Sequence, residues 1–340
     1  MVRLKDIALR AGVSVMTVSK AVNDAKDIAP ATKARIRALA EQMGYVPNHL
    51  ARSLRCRTTR LLGLIIPTLA NPIYARMVMA IEQRCADTCF DLLVAQSLNL
   101  PEREEQLIRR MRARRVDGLF IAPAPRLPGP APIFDEIHAA GLPTVILGQR
   151  PPHAGTLPAA EVEEITASQN LTKLMIGLGH RRIAYFAGPN ISTSCAERLE
   201  GFRRAIREAG LEWDDRLVFS AGTTIEEGAK AACQMLDENI RPTAILAVND
   251  LVAIGAANYL LDKGIEIPRE ISVAGFGNIL AAEFFRVPLT TVRQPKLRLG
   301  DAAMGLMQQL LNGEKVEGVR LEAELVIRQS SGPPPAANPA

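Results

Sequence analysis

Apolar segments of six to eight residues alternate with longer amphipathic segments over most of the chain. From Leu61 onward the apolar segments predict two series of four β-strands: 61–67, 90–96, 116–123 and 143–148, followed by 181–188, 216–221, 242–248 and 271–277. Continuous apolar strands separated by helices are typical of parallel sheets that are covered on both faces. A proline-rich stretch at 151–158 divides the two series, so the pattern predicts two α/β lobes.

The two lobes together are expected to form a body over residues 61–330, and the chain is expected to cross between them near 150–162 and 288–295. The proline-rich residues 331–340 are predicted to be a disordered tail. Two further segments, with a helix between them, are predicted to complete the sheets: 290–295 and 321–327.

Residues 1–46 have a different pattern, that of three short helices. The segment LKDIALRAGVSVMTVSKAVN, which begins at Leu4, fits a helix-turn-helix position by position. Ala8 is small enough for two helices to cross closely, and Gly12 occupies the turn, where a positive φ is needed. Ser14 is placed to cap the second helix. These residues predict an all-α DNA-binding domain.

The outward face of the second helix is predicted to carry the contacts to DNA. Val15, Met16 and Lys20 would meet base edges in the major groove. Thr17, Ser19 and Asn23 suit phosphate contacts, which set the register of the helix on the duplex. The alternative is a generic three-helix cap, on which the basic residues only interact with solvent.

The distribution of charge supports the DNA-binding interpretation. The chain has 340 residues and a net charge of +5. Residues 1–60 contain 12 Lys and Arg against 4 Asp and Glu, a net charge of +8, and the rest of the chain has a net charge of −3. The arginine-rich segment 47–60, PNHLARSLRCRTTR, is expected to be a hinge and linker. A basic end on a slightly acidic body is expected where one end of a chain meets a polyanion.

Several classes of protein are not expected. The N-terminus lacks the apolar stretch of a signal peptide, and no apolar run approaches the ~20 residues that span a bilayer. Five cysteines with no CxxC spacing predict reduced thiols, so we expect a cytoplasmic protein with no membrane partner. No metal or cofactor is expected. The absence of a phosphate-binding GxxxxGK[ST] and of GxSxG argues against an enzyme.

The helix-turn-helix segment, followed by GYVPNHLARSL, resembles the lactose-repressor (LacI/GalR) family of bacterial transcription regulators. The resemblance continues through LLGLIIPTLANPIYA, LGHRRIAYFAGP, ERLEGFRRA and PTAILAVNDLVAIGA. It implies a hinge helix that enters the minor groove, where Leu54 would wedge apart a base step. Taken alone, Leu54 would be an ordinary packing leucine of a linker. The hinge residues implied to contact DNA are Asn48, His49, Ala51, Arg52, Leu54 and Arg55.

The resemblance also implies that the body has a periplasmic-binding-protein-like fold and takes a small-molecule effector, a sugar or sugar acid, between its lobes. The partners would be a near-palindromic double-stranded DNA operator, that effector and a second copy of the chain in a homodimer. For all of the implied effector contacts except Arg198, a surface or capping role is the alternative. The implied contacts are Tyr74, Gln149, Arg198, Thr223, Asn249, Asn278 and Gln294.

One residue departs from the family pattern. Sugar-binding members usually carry an aspartate after the strand 271–276, but Gly277 stands there in this chain. If that position leaves Arg198 without a carboxylate, the cleft would favour an anionic effector. Three other functions stay open: a regulator whose cleft is vestigial or responds to a protein, a sugar-binding protein, and an enzyme.

Overall fold

The computed structural model describes residues 2–25, 27–46 and 58–336. It divides into two compact units, a head of residues 1–59 and a body of residues 60–340. Among the described residues no helix combines the length and apolar character needed to cross a membrane.

The described residues of the head form three helices, α1 (Leu4–Ala11), α2 (Val15–Val22) and α3 (Pro30–Gln42). The turn between α1 and α2 depends on Gly12, whose φ of 66° lies in the left-handed region that glycine adopts without strain. The Ser14 hydroxyl accepts a hydrogen bond from the backbone N–H of Thr17 at 3.1 Å and so caps α2. A small apolar core joins the three helices: Ile7, Ala8, Val18, Ala21, Ile36 and Ala40.

The body contains two six-stranded sheets, which confirm the predicted fold class. Lobe 1 has the strand order β2-β1-β3-β4-β5-β11, in which every pair is parallel. Lobe 2 has the order β7-β6-β8-β9-β10-β12, which is parallel except for β12. The strands are β1 (Leu61–Ile66), β2 (Asp91–Gln96), β3 (Gly118–Ile121), β4 (Thr144–Leu147), β5 (Ala159–Val162), β6 (Ile183–Ala187), β7 (Val218–Ser220), β8 (Ala244–Ala247), β9 (Ser272–Gly277), β10 (Thr290–Arg293), β11 (Val319–Leu321) and β12 (Glu324–Val326).

Helices cover both faces of each sheet, and most of them begin next to the carboxyl end of a strand. Prolines start several of these helices, and Asn71 caps the first of them. The helices of the body are α4 (Pro72–Asp87), α5 (Pro101–Ala113), α6 (Pro132–Ala139), α7 (Glu164–Gly177), α8 (Thr193–Glu208), α9 (Ile225–Asp237), α10 (Asp250–Asp262), α11 (Leu280–Glu283) and α12 (Lys296–Leu311).

The chain passes between the lobes three times, after β5, after β10 and between β11 and β12. Two segments near these crossings differ from the sequence-based expectation. Strand β5 extends the first sheet, although its short, alanine-rich segment AAEV was not expected to be a strand. The segment 321–327 does not form one strand, because the chain leaves lobe 1 after Leu321 and joins lobe 2 at Glu324.

The start of the expected disordered tail is packed against lobe 2, so that prediction is wrong for its first residues. The side chain of Ser331 hydrogen-bonds Thr290 at 2.7 Å. The carbonyl of Gly332 lies 2.9 Å from Nε2 of His180, and the Gly332 N–H donates to Ser272 at 3.1 Å. His180 is fully buried, and its Nδ1 lies 2.9 Å from the Thr243 hydroxyl. The buried imidazole of His180 thus has a hydrogen-bond partner in the C-terminal segment.

His180 should make stability depend on pH. Burial lowers the pKa of His180 below its ordinary value of 6.5, so the unfolded chain binds a proton there more readily than the folded chain. The free energy of unfolding should therefore fall as the pH drops below about 6.5. Urea unfolding at pH 7.5 and pH 5.5 measures this change. His180→Gln should reduce this change in the free energy of unfolding, whereas the control His138→Gln, at an exposed histidine, should leave it as it is. If the parent protein and both variants show the same pH dependence, its assignment to His180 is wrong.

Candidate functional site

The exposed face of the head is built on α2. Val15 and Met16 lie on the first turn of this helix and are 47% and 65% exposed, so they belong to the surface of the head and not to its core. Lys20 lies one turn further and forms an ion pair with Asp27. That contact lowers the pKa of Asp27 through its hydrogen bond with Lys20. Asp27 therefore holds the Lys20 side chain in place while it stays partly exposed. An exposed ion pair of this kind contributes little free energy, so another acceptor can replace Asp27.

The expected phosphate-contacting residues flank this face. Thr17 lies within 2.9 Å of the Ser14 hydroxyl, so its side chain takes part in the cap of α2. Asn23 follows the end of α2, and its amide donates to the carbonyl of Ser19 at 2.7 Å. The expected hinge contacts lie outside the described residues: Asn48, His49, Ala51, Arg52, Leu54 and Arg55.

In the body, Arg198 is the centre of a buried polar cluster at the carboxyl edge of lobe 2. Its Nε and Nη2 donate to the two carboxylate oxygens of Glu164 at 2.7 and 2.9 Å. Nη1 donates to the carbonyl of Val248 at 2.7 Å. The guanidinium also lies over the ring of Phe276, 4.0 Å from its centroid. The condition stated for an anionic effector, that Arg198 lacks a carboxylate partner, is therefore not met, because Glu164 supplies one.

Two other expected effector contacts adjoin this cluster. Nε2 of Gln294, at the crossing into α12, donates to Glu164 at 2.9 Å. Tyr74 lies on the first turn of α4 and is half-buried, and this burial raises the pKa of its hydroxyl to about 12. The Tyr74 hydroxyl therefore stays protonated at neutral pH and remains able to donate a hydrogen bond. The structure thus brings Tyr74, Arg198 and Gln294 to one region.

Gln149 joins lobe 1 to lobe 2. It follows β4 and is 7% exposed, and its Oε1 accepts a hydrogen bond from the N–H of Val162 at 3.2 Å. Its Nε2 donates to the carboxylate of Glu197, on α8 of lobe 2. Burial raises the pKa of Glu197 above its ordinary value. The sequence-based reasoning missed Glu197, although it stands directly before Arg198 in ERLEGF.

Thr223 and Asn249 contact each other and have clear structural roles. Oδ1 of Asn249 accepts from Val252 N–H at 2.8 Å and caps α10, while its Nδ2 donates to the carbonyl of Thr223 at 3.0 Å. The N–H of Thr223 donates to Glu227 at 2.7 Å, at the start of α9. This arrangement matches the capping alternative stated for both residues.

Asn278 directly follows the end of β9. Its side-chain oxygen accepts from Arg328 at 2.9 Å, and its carbonyl accepts from Nζ of Lys296 at 2.9 Å. Burial lowers the pKa of Lys296 to about 8. Asp250, which is fully buried, accepts hydrogen bonds from the Thr291 hydroxyl and from the N–H of Ile279.

An aspartate in place of Gly277, as in the family pattern, would be strained. The φ of Gly277, +135°, is one that side-chain-bearing residues rarely adopt. A Cβ at this position would lie 3.0 Å from Cδ1 of Ile73 and 3.3 Å from Oδ2 of Asp250. Among the described residues, no group of His, Cys, Asp or Glu is arranged to hold a metal ion.

Comparisons with known proteins agree with both units. A family model for bacterial regulatory proteins of the lacI family matches residues 3–48, and one for a periplasmic-binding-protein-like domain matches residues 172–331. The HTH-type transcriptional repressor PurR of Vibrio atlanticus is 31% identical over 317 residues, which are 93% of this chain and 94% of that protein. The repressor CytR of Escherichia coli is 30% identical over 330 residues, 96% of each chain.

A solved structure extends the agreement to three dimensions. The lac repressor dimer bound to operator and the anti-inducer ONPF superposes with a TM-score of 0.87 at 27% identity, covering 97% of this chain and 98% of that one. Both repressors match nearly the whole chain, at 31% and 30% identity. The protein therefore belongs to the lacI family of bacterial regulatory proteins.

Proposed function

We propose that this protein is a cytoplasmic transcriptional regulator, and most simply a repressor, rather than an enzyme. It binds a near-palindromic DNA operator through its head and responds to a small molecule bound between its lobes. The observation that carries the proposal is the exposed first turn of α2, held by the Ser14 cap on a domain of strongly positive charge. An exposed recognition helix on a basic head is the arrangement that reads the major groove.

We propose that Val15, Met16 and Lys20 contact bases, while Thr17, Ser19 and Asn23 contact the backbone. Lys20 suits the O6 and N7 acceptors of guanine, and its exposed pair with Asp27 costs little to exchange for them. In the linker, Leu54 would kink the duplex from the minor groove, and the neighbouring arginines would contact phosphates.

The proposed effector is a sugar or sugar derivative held at the carboxyl edges of the two sheets. The support for this site is the convergence of Tyr74, Gln149, Arg198 and Gln294, because ligands of open α/β sheets bind at these edges. An effector that prefers one arrangement of the lobes would change operator affinity, and a coupling of ~1–3 kcal/mol gives about a 5–150-fold effect.

A homodimer is proposed because lobe 2 leaves an apolar face uncovered. Leu280 and Phe284 are one helical turn apart at α11 and are 61% and 76% exposed. The next residue, Phe285, packs into the core of lobe 2 and holds this turn in place. Contiguous apolar patches on a protein surface are typical of interaction sites. The similar lac repressor was solved as a dimer.

Selection of bound duplexes from a random pool tests DNA recognition. The full-length protein should enrich two inverted half-sites centred about 10 base pairs apart or a multiple of this. Lys20→Met should weaken binding to the enriched site about 5–150-fold and relax the preference at one base pair of each half-site. Lys5→Met, at an exposed lysine of α1, should leave every base preference unchanged. Failure of the parent protein to enrich any sequence would refute the proposed function.

The dimer surface predicts the effect of one substitution. Phe284→Glu places a charge in the proposed contact and should raise the dissociation constant of the dimer about 30-fold or more, since a buried aromatic contact is worth at least ~2 kcal/mol. Sedimentation equilibrium measures this constant. Leu127→Glu, at an equally exposed leucine that follows β3, serves as the control and should leave the dimer intact. A dimer of unchanged stability in Phe284→Glu would place the interface elsewhere.

A further inference from the structure

We propose that Glu197 determines the class of effector, because it is the cleft carboxylate that remains available where Gly277 carries no side chain. It selects an uncharged molecule rich in hydrogen-bond donors and discriminates against anions. This inference rests on the proposed function, since it assigns the chemistry of the small molecule that the same cleft takes.

Glu197 faces the cleft because Gln149 reaches it from the other lobe. The Gln149 amide can be oriented in only one way, since its Oε1 is held by the N–H of Val162 at 3.2 Å. Its Nε2 is therefore directed at Glu197 and donates to that carboxylate across the cleft. A carboxylate has about four acceptor positions, so one bond from Gln149 leaves Glu197 able to accept more.

The other carboxylates of this region are already committed. Glu164 accepts two hydrogen bonds from Arg198 and one from Gln294. Asp250 is 1% exposed and accepts from Thr291 and from the N–H of Ile279. Glu197 thus has more unused acceptor capacity than either Glu164 or Asp250.

Gln294 adds a second acceptor that needs a donor. Its Nε2 is bound to Glu164, which leaves Oε1 pointing the other way. This oxygen is buried and has no hydrogen-bond partner among the described residues. A buried acceptor without a partner costs about 1–3 kcal/mol, and a ligand hydroxyl or N–H would remove that cost.

The cations described nearest to this cluster are engaged by protein acceptors, including Arg320, which acts on Glu197 and pairs with Glu161 at 3.2 Å. Three N–H groups of Arg198 are bound to Glu164 and Val248. The ammonium of Lys296 donates to the carbonyl of Asn278 at 2.9 Å and is attracted by Asp250. An anion would therefore approach the charge of Glu197 in a partly desolvated site, where like charges repel strongly.

Calorimetric titration of the full-length protein tests the assignment with matched pairs of compounds. The uncharged members are glucose, galactose, ribose, cellobiose, adenosine and uridine. Their anionic partners are the four aldonic acids and the two nucleoside 5′-monophosphates. We expect at least one uncharged compound to bind and its anionic partner to bind at least about tenfold more weakly.

Glu197→Gln supplies the readout that a purely structural role would not change. It should weaken binding of the uncharged compound about 10-fold or more and reduce the preference for it over its anionic partner by a similar factor, because the repelling charge is gone. Glu200→Gln is the matched control on the same helix, where Glu200 forms an exposed pair with Arg204. The control should bind like the parent protein.

Three results would overturn the inference: tighter binding of an anionic member, no binding by any compound of the panel, or equal behaviour of Glu197→Gln and Glu200→Gln. Each of them leaves the enrichment of operator DNA by the parent protein intact. Loss of that enrichment would instead refute the proposed function, so the two failures are distinguishable.

Discussion

The ion pair between Arg198 and Glu164 is the contact on which the rest of the cleft depends. Both side chains are buried, and both oxygens of Glu164 receive a hydrogen bond from the guanidinium. The pair joins α7 to α8, and through the carbonyl of Val248 and the ring of Phe276 it also joins the ends of β8 and β9. Removal of one partner from such a pair typically costs about 3–5 kcal/mol, because an uncompensated charge stays buried.

This pair also determines which polar atoms of the cluster remain available for further hydrogen bonds. With Arg198 bound to protein acceptors, the polar atoms left near the cleft are mostly acceptors, notably Oε1 of Gln294 and the carboxylate of Glu197. The head shows the opposite situation. Its pair of Lys20 and Asp27 is exposed, so water competes with it and another acceptor can replace Asp27 at small cost. One ion pair is thus part of the scaffold, and the other belongs to a surface able to exchange partners.

The two sheets were predictable because their strands are buried on both faces. Strands such as β1 and β8 are unbroken apolar runs, and such runs are visible in a single sequence. Strand β5 was missed because four residues with two alanines and a glutamate carry little of this signal. The division of 321–327 between two sheets was also missed, since no local pattern specifies which neighbour a short edge strand joins.

The sequence was sufficient to separate the head from the body. It was also sufficient to select Arg198, Gln149 and Gln294 as site residues, and the fold brings these three near one another. It could not reveal that Asn249 and Thr223 are bonded to each other, because capping and ligand binding require the same residue types. It also gave no sign of Glu197 as a partner of Gln149, since these residues lie 48 positions apart.

By itself, the sequence determined the helix-turn-helix, the basic charge of the head and the parallel α/β body, because these follow from local periodicity and composition. Only the tertiary structure decided how the charges of the cleft are paired. Glu164 and Arg198 are 34 positions apart, and they meet because α7 and α8 pack closely where Gly201 lacks a side chain: a Cβ there would lie 2.3 Å from the carbonyl of Ile165. Contacts of this kind depend on how helices pack, and the free energy of a buried charge depends on those contacts.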